Sequence, residues 1–306
     1  MTLPTGPITI REVGTRDGIQ SLGAFIDTTR KVELLEALAD TGLRRIEATS
    51  FVDPRAVPQM ADAAEVMARV RRRAGVSYEA LVPNVRGAQD ALAASVDAVL
   101  VVVTASEAFN QKNVRMSVDA SLTQFAEVKL LADERRVVCI GAIGTAFGCP
   151  YEGDIPESRL FALVERFLEL GFSELMLADT TGMANPLQIE RTMCHVLERW
   201  GDRVAFGLHL HNTRGMGLAN VVAGLRAGVT TFDASVAGIG GCPFAPQAAG
   251  NISTEDTVHM LQEMGVDTEI DLDRLIRVAR LAQEILGHEL PGQVMKAGPR
   301  WKLHAV

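Results

Sequence analysis

The chain alternates short apolar segments with longer amphipathic ones. Short runs rich in β-branched residues, such as "ITIREV" (8–13) and "AVLVVV" (98–103), predict buried strands. Between such runs, apolar residues recur three and four positions apart and the segments mostly close with glycine, which is typical of helices. The remaining strand candidates lie at 44–49, 77–82, 137–143, 174–179, 205–210 and 231–236.

Eight alternating units indicate a closed parallel barrel. Nearly continuous apolar strands are typical of parallel sheets whose outer face is covered by helices, and repeats of about 20 to 40 residues fit a (β/α)8 barrel better than an open sheet. "TEDTVHMLQEMG" (254–265) predicts the eighth barrel helix, and "DLDRLIRVARLAQEILG" (271–287) an additional one. We therefore expect an α/β protein, a TIM barrel with a C-terminal helical segment, forming a single domain over residues 1–306.

The composition narrows the class of protein. With 47% hydrophobic and 22% charged residues, the chain resembles ordinary globular proteins. Its net charge of −8 argues against a broad surface for nucleic acid or anionic membrane. The N-terminus shows no secretory leader and no apolar window is long enough to span a membrane, so we expect a cytoplasmic protein. The four cysteines are too scattered for a disulfide framework, which predicts reduced thiols.

Polar side chains follow most of the predicted strands. The active sites of (β/α)8 barrels lie at the carboxyl ends of the strands, so these side chains would meet at one rim. Each of them alone has a structural explanation, as a helix cap or an ion-pair partner, and the prediction depends on their convergence. They are Arg16 and Asp17, Glu47, Asn84, the loop "TASEAFNQKN" (104–113), Asp179, His209 and His211.

The motif "HLHNTRG" (209–215) suggests a metal site. Alternate residues of a strand share one face, so His209 and His211 would lie about 7 Å apart along the backbone. Such a pair by itself is more often one packed and one solvated histidine. With Asp17 it gives a facial set of one carboxylate and two imidazoles, and Asn251 could add an amide oxygen. Mg²⁺ or Mn²⁺ suits this set best, while Zn²⁺ and Co²⁺ stay open.

The segment "GIGGCP" (238–243) places Cys242 between glycines and a proline. Flexible glycines before the cysteine and a rigid proline after it are typical of a mobile loop that carries one reactive group. A free cysteine is nevertheless more often a small buried hydrophobe. The local sequence therefore leaves the role of Cys242 open.

Taken together, these motifs resemble the DRE-TIM metallolyases and, within them, the 3-hydroxy-3-methylglutaryl-CoA lyase family. The resemblance runs over nearly the whole chain, and the cysteine-bearing glycine loop is its most specific part because it is a signature of the lyase branch. The motifs come in the family's order: "REVGTRDGIQ", "IEATSFVDPRAVPQM", "LVPNVRG", "ASEAFNQKNV", "GCPYEG", "ADTTGMANP", "HLHNTRG" and "SVAGIGGCPFAPQAAGN".

The resemblance implies a metal-dependent retro-Claisen cleavage of a tertiary 3-hydroxyacyl-CoA to acetyl-CoA and a 3-oxoacid, acetoacetate. Arg16 would stabilise the enolate, His209 or Asp179 would be the base, and Cys242, or a water that it positions, would protonate the enolate to acetyl-CoA. It further implies leucine degradation, a small acyl-CoA as the partner and often a homodimer. The remaining implied residues are Asp17, His209, His211 and Asn251 around the cation, Glu47 beside the reacting carbons, and Asn84, Ser106, Lys112 and Asn113 for CoA.

Three departures from the family leave these metal residues unchanged but put the acyl group in doubt. Ser21-Leu22-Gly23 stands where the family usually has Asn-Glu, and the basic residue often found nearby is not evident. Arg214 replaces a usual tyrosine, which adds a cation close to the metal site. Gln247 and Ala249 stand where the lyases usually carry glycine and serine or threonine.

Two other functions compete with the lyase. A Claisen synthase or an aldolase acting on a 2-oxoacid would share the aspartate and the H-x-H pair. The glycine-cysteine loop favours the lyase, and 306 residues leave little room for the extra C-terminal domain of many synthases. A non-catalytic metal-binding barrel is the alternative from another class, and it would bind metal without releasing acetyl-CoA from any substrate.

Overall fold

A closed barrel of eight parallel strands forms the centre of the protein. The computed structural model describes residues 6, 8–241 and 250–303. Each strand pairs with the next and β8 pairs with β1, so the predicted (β/α)8 barrel is confirmed and every predicted strand segment contains a strand. The strands are β1 (Thr9–Glu12), β2 (Arg45–Ser50), β3 (Ser77–Leu81), β4 (Ala98–Thr104), β5 (Val138–Gly144), β6 (Glu174–Asp179), β7 (Ala205–Leu210) and β8 (Thr231–Ala234).

Helices follow the strands and cover the outside of the barrel. Several begin at a side chain that accepts a backbone N–H, as at Asp27 before α1 and Ser117 before α5. The helices between strands are α1 (Thr28–Ala39), α2 (Ala63–Arg69), α3 (Val85–Ala93), α4 (Glu107–Val114), α5 (Val118–Glu134), α6 (Glu157–Glu169), α7 (Pro186–Trp200) and α8 (Gly217–Ala227).

One segment differs from the sequence interpretation. The stretch after β4, treated above as a loop, contains the helix α4. The reason is local, since the Ser106 hydroxyl accepts a hydrogen bond from the Phe109 N–H at 3.0 Å and so caps the first turn. The weak amphipathicity of "EAFNQKNV" hid this helix, because only Phe109 and Asn110 of its residues are buried.

Within the described residues, three α-helices follow β8. They are α9 (Thr254–Glu263), α10 (Leu272–Leu286) and α11 (Val294–Ala297). α9 completes the barrel, and α10 packs against α1 and against the short 3₁₀ turn Val236–Gly238. The predicted C-terminal helical segment is therefore confirmed. Among the described helices, none is long and apolar enough to cross a membrane.

The interior of the barrel is divided into an apolar and a charged half. Strands β4 to β6 fill one half with the apolar side chains Ala98, Leu100, Ile140, Ala142 and Met176. Strands β1, β2, β3 and β8 place charged side chains in the other half, among them Arg11, Glu79 and Asp233. The main apolar core lies outside the barrel, between sheet and helices. The candidate site lies above the charged half.

Candidate metal centre and active site

Asp17, His209 and His211 converge at the carboxyl ends of β1 and β7, and these three residues form the cluster described below. One ligand atom from each lies within 4.8 Å of the others. The Nε2 atoms of the two histidines are 3.0 Å apart, and Nε2 of His209 is 3.9 Å from Oδ2 of Asp17. Asp17 belongs to a π-helical turn, Gly14–Gly18, that directly follows β1. Closure of the barrel therefore brings together residues that are about 190 positions apart in the chain.

The protonation of this group suits a divalent cation. Burial would raise the pKa of Asp17, but the charge of Arg16 and the two neighbouring imidazoles outweigh this effect and hold that pKa below its usual range. Burial and the neighbouring His209 lower the pKa of His211 to about 3, so its imidazole is neutral. An ionised carboxylate and neutral imidazoles are the forms in which these side chains bind metal.

Asp233 orients His209. Its Oδ2 atom lies 3.0 Å from Nδ1 of His209, which holds a proton on Nδ1 and leaves Nε2 as the nitrogen that faces the cluster. Burial lowers the pKa of His209, but the hydrogen bond that it donates to Asp233 and the charge of Asp17 raise it overall. The two carboxylates therefore stabilise a positive charge here, and a bound cation would take the place of the second imidazole proton.

Asn251 lies beside the cluster, but its amide nitrogen, and not its oxygen, faces Asp17. Its Nδ2 donates to Oδ2 of Asp17 at 2.7 Å and to the Ile239 carbonyl at 3.4 Å. An isolated backbone bridge to His211 fixes the position of the residue. Metal ligation through the amide oxygen requires rotation of this amide by about 180°, because oxygen and nitrogen occupy opposite arms of the same planar group.

Arg16 and Glu47 form a buried pair next to Asp17. Arg16 donates from Nη1 to Oδ1 of Asp17 at 2.6 Å and from Nη2 to Oε2 of Glu47 at 2.7 Å. Burial raises the pKa of Glu47 despite the opposing charge of Arg16. Nε of Arg16 and Oε1 of Glu47 are buried without a partner among the described residues. Arg16 is thus a fixed cation that retains hydrogen-bonding capacity.

Asp179 lies at the end of β6, one strand away from the histidines. Its Oδ1 accepts the N–H groups of Met183 at 2.8 Å and Ala184 at 3.1 Å. Its Oδ2 is buried and has no partner within the described part of the chain. Burial raises the pKa of Asp179 to about 6. One carboxylate oxygen is therefore held by the backbone while the other is available to a ligand.

Arg214 follows the H-x-H pair and is exposed. Its Nη1 donates to the carbonyls of Thr181 at 3.0 Å and Gly182 at 2.8 Å. These carbonyls belong to the loop after β6, and the charge of Arg214 lowers the pKa of Asp179 against the larger effect of burial. The cation that departs from the pattern of the family this chain resembles therefore lies at the same rim.

The four residues predicted for CoA lie after β3 and β4. Two of them cap helices, because Asn84 Oδ1 accepts the Gly87 N–H at 2.9 Å and Ser106 caps α4. Lys112 and Asn113 are exposed on α4, and Nζ of Lys112 lies 4.4 Å from the centre of the Tyr151 ring. The structure thus places these side chains at the same end of the barrel as the cluster.

Cys242 lies outside the described residues, as do Gln247 and Ala249. The described cysteines are free thiols. Burial raises the pKa of Cys139 to about 12, which makes that thiol a poor nucleophile. The thiol of Cys149 is buried, and its Sγ lies 3.0 Å from the Ser106 hydroxyl. Cys194 is exposed.

Sequence reasoning missed Asp233 and Arg11. Both lie within segments that were correctly predicted as strands, "TFDASV" and "ITIREV", and both are almost fully buried. The available signal was a charged residue inside an otherwise apolar strand, because a charge is buried only when it is paired or binds a ligand.

The barrel and this group of side chains define the class: a (β/α)8 protein with a candidate metal centre at the carboxyl ends of its strands. A sequence model of the HMGL-like family matches residues 7–282. The hydroxymethylglutaryl-CoA lyase YngG of Bacillus subtilis is 42% identical over 287 residues, which are 94% of this chain and 95% of that protein. The (R)-citramalyl-CoA lyase of Chloroflexus aurantiacus is 41% identical in an alignment 302 positions long that covers 95% of each protein.

A solved structure agrees with these sequence matches. An HMG-CoA lyase from Acinetobacter baumannii, in complex with coenzyme A and 3-methylmalate, aligns over 100% of both chains with a TM-score of 0.95 and 42% identity. The chain belongs to the HMGL-like family, and it is a carbon–carbon lyase. The expected family and enzyme class are confirmed, and the non-catalytic alternative is not supported.

Proposed function

We propose that this protein cleaves 3-hydroxy-3-methylglutaryl-CoA to acetyl-CoA and acetoacetate with the help of a divalent cation. The observation that carries the proposal is the convergence of Asp17, His209 and His211 beside the buried cation Arg16. The curated lyase from Bacillus subtilis, with 42% identity along nearly the whole chain, supports the substrate. The complex of the related Acinetobacter enzyme with coenzyme A supports an acyl-CoA ligand.

Asp17, His209, His211 and Asn251 would hold the cation, for which we propose Mg²⁺ or Mn²⁺. Mixed carboxylate, amide and imidazole donors admit both ions, and Zn²⁺ or Co²⁺ would also bind. A cation bound there supplies a Lewis acid that lowers the pKa of the 3-hydroxyl group of the substrate. The protein's own contribution is a prearranged set of donors, oriented by Asp233 through His209.

The general base is Asp179 rather than His209. Both nitrogens of His209 have other roles, Nδ1 toward Asp233 and Nε2 toward the metal cluster. Asp179 offers a buried oxygen without a described partner and a pKa raised by burial to about 6, which suits a base that works near neutrality. It would take the proton of the 3-hydroxyl group while the C2–C3 bond breaks.

Arg16 and Cys242 act on the enolate that becomes acetyl-CoA. As the C2–C3 bond breaks, C3 becomes the ketone of acetoacetate and the bonding electrons pass to the thioester enolate. Arg16, fixed by Asp17 and Glu47, places positive charge where this enolate develops. The thiol of Cys242 would deliver a proton to C2 and become a thiolate. The proton that Asp179 took from the 3-hydroxyl group would return to this thiolate through solvent, so that atoms and charges balance.

The CoA portion would extend toward α3 and α4. Asn84 and Ser106 mark the start of these helices, and Lys112 and Asn113 lie exposed on α4. An exposed ammonium and amide suit phosphate and pantetheine groups. The family resemblance supports this direction, because "ASEAFNQKN" and "GCPYEG" are its motifs on that side.

A second candidate substrate is citramalyl-CoA, which lacks one methylene of the acid. Two observations favour it: the 41% identity to a curated (R)-citramalyl-CoA lyase, and the exposed guanidinium of Arg214 next to the loop after β6. A substrate carboxylate close to the reacting carbon would find a cation there. Both substrates release acetyl-CoA, but the second product is pyruvate.

The deciding experiment measures acetyl-CoA release from the two substrates by purified protein with Mg²⁺ or Mn²⁺ and a reducing agent, against an EDTA-treated control. Metal-dependent release from 3-hydroxy-3-methylglutaryl-CoA supports the first candidate. Faster release from citramalyl-CoA, slowed by Arg214→Gln, supports the second. Failure of folded protein with both esters would contradict both substrate proposals.

A further inference from the structure

A buried arginine lies directly behind the candidate metal centre. Arg11 binds Asp233 through two parallel bonds, from Nε to Oδ1 at 2.8 Å and from Nη2 to Oδ2 at 2.7 Å. The same Oδ2 atom lies 3.0 Å from Nδ1 of His209. Arg11 and Asp233 are 1% and 2% exposed, so water does not compete for these bonds. Two parallel bonds fix the plane of a carboxylate as well as its position.

The register of the strands builds this row. Arg11 in β1 is the backbone partner of Asp233 in β8, and Asp233 is the partner of His209 in β7. Directly paired residues of neighbouring strands point to the same face of the sheet. The three side chains therefore form one interior row across three adjacent strands, and the row ends at a candidate metal ligand.

Arg11 is also held from its other side. Its Nη1 lies 3.3 Å from Oε2 of Glu79, whose Oε1 accepts a hydrogen bond from Nε of Arg45 at 2.6 Å. Arg45 reaches Glu174 at 2.6 Å, near the opposite end of the barrel. Arg11 thus spans two carboxylates and cannot rotate without breaking bonds to one of them.

Stability alone does not explain this network. The interior of a (β/α)8 barrel is usually filled with branched apolar residues, as in the half lined by Leu100 and Ile140. Replacing a buried ion pair with apolar groups of similar size is often neutral or stabilising, because desolvation of the charges is costly. A function of the network at the adjacent cluster accounts for its presence.

We propose that Arg11 is a positioning residue for the metal centre, which acts on His209 through Asp233. Its two parallel bonds hold the Asp233 carboxylate so that Oδ2 accepts the Nδ1 proton of His209, which directs Nε2 toward Asp17 and His211. This inference rests on the metal centre of the proposed function. A lysine would keep the charge but would lose the planar two-bond geometry.

The test measures the affinity of the full-length protein for Mn²⁺ by calorimetry and by the EPR signal of free Mn²⁺. Replacement of an outer partner of a ligating histidine costs about 10–100-fold in metal affinity. We expect Arg11→Lys to weaken Mn²⁺ binding about 10-fold. Arg45→Lys is the matched control, because it makes the same change in the same network two ion pairs further from His209, and it should stay within about twofold of the wild type.

A double substitution tests the route through Asp233 and covers the case that Arg11→Lys does not fold. Asp233→Asn alone should lose about 10–100-fold in Mn²⁺ affinity. Adding Arg11→Met to it removes both members of the ion pair, and it should cause no further loss, because residues that act in series are not additive. A further tenfold loss in the double variant, or equal losses in Arg11→Lys and Arg45→Lys, would overturn the inference.

The wild-type titration separates this inference from the proposed function. Wild-type protein that binds Mn²⁺ and cleaves substrate, together with an Arg11→Lys variant that binds equally well, would overturn the role of Arg11 alone. Wild-type protein that binds no Mn²⁺ would overturn the metal centre and the role of Arg11 with it.

Discussion

The Nε2 atoms of His209 and His211 lie 3.0 Å apart at the mouth of the barrel. Asp233 accepts the Nδ1 proton of His209, so Nε2 is the nitrogen of His209 that faces the other candidate ligands. The carboxylate of Asp17 completes the group. A cation between these atoms would satisfy all three donors at once.

Removal of one imidazole should therefore abolish the stabilisation that a bound cation gives to the folded protein. A ligand that binds only the folded state at 100 times its Kd stabilises by about 2.7 kcal/mol. We expect saturating Mn²⁺ to raise the Tm of the wild-type protein, and His211→Ala to remove this rise together with the lyase activity. The measurement is thermal unfolding with and without Mn²⁺. His288→Ala is the control, since His288 is exposed after α10 and should leave the shift unchanged.

Arg16 should affect the chemical step more than substrate binding. Its guanidinium is fixed by Asp17 and Glu47 before substrate arrives, which is the arrangement that stabilises charge developing in a transition state. We expect Arg16→Gln to lower kcat about 10²–10³-fold, as loss of one preorganised donor does elsewhere, with a smaller change in KM. Steady-state kinetics of acetyl-CoA release measure both constants.

A matched substitution controls for the loss of an arginine as such. Arg55 pairs with Asp53 at the surface and has an 89% exposed side chain, so Arg55→Gln should leave kcat unchanged. A change confined to KM in Arg16→Gln would contradict an electrostatic role in the chemical step.

The barrel was predictable from the sequence because its signal repeats. Each strand had to be apolar and each helix had to carry one apolar face, and eight repetitions of that pattern admit few architectures. Helix α4 was not predicted, because a serine such as Ser106 indicates a helix start only when the segment after it is recognised as helical. The periodicity of apolar residues therefore does not predict a helix that buries little apolar surface.

The candidate site was predictable only in its innermost layer. The spacing of His209 and His211 predicts that they share one face of a strand, and the position of Asp17 directly after a strand predicts that it lies at the same rim. The contact between Asp233 and His209 depends on which face of β8 turns inward and on the register with β7, and neither is encoded in a short motif. The same holds for Arg11, whose partner is 222 positions away in the chain.

Cys242 should be the cysteine on which turnover depends. A proton donated to the enolate carbon in the transition state contributes about 10²–10⁴-fold to the rate. We expect Cys242→Ser to lower kcat by about 10²-fold or more, measured as acetyl-CoA release under reducing conditions. Cys194→Ser is the matched control, because Cys194 is exposed on α7 and should tolerate the change. Equal activity of the two variants would exclude the Cys242 thiol from the reaction.

Glu255 should make the stability of the protein depend on pH. This residue is fully buried at the start of α9, and Oε2 accepts the Ala237 N–H at 2.9 Å. Burial raises its pKa from 4.5 to about 8, with a further contribution from neighbouring Asp256. The folded state thus keeps a proton that the unfolded chain has already released between these two values. Unfolding releases that proton, so rising pH favours the unfolded state across this range.

The cost is about 1.4 kcal/mol for each pH unit between the two pKa values. Between pH 6.0 and 7.5 the wild type should therefore lose about 2 kcal/mol of unfolding free energy relative to Glu255→Gln, which carries no titrating proton. Urea denaturation of both proteins at the two pH values measures the difference. Glu12, whose pKa burial raises to about 7, titrates in both proteins and cancels. The reference variant is Glu284→Gln, exposed on α10, which should follow the wild type. Parallel pH profiles for wild type and Glu255→Gln would show that Glu255 is already ionised in the folded protein at pH 6.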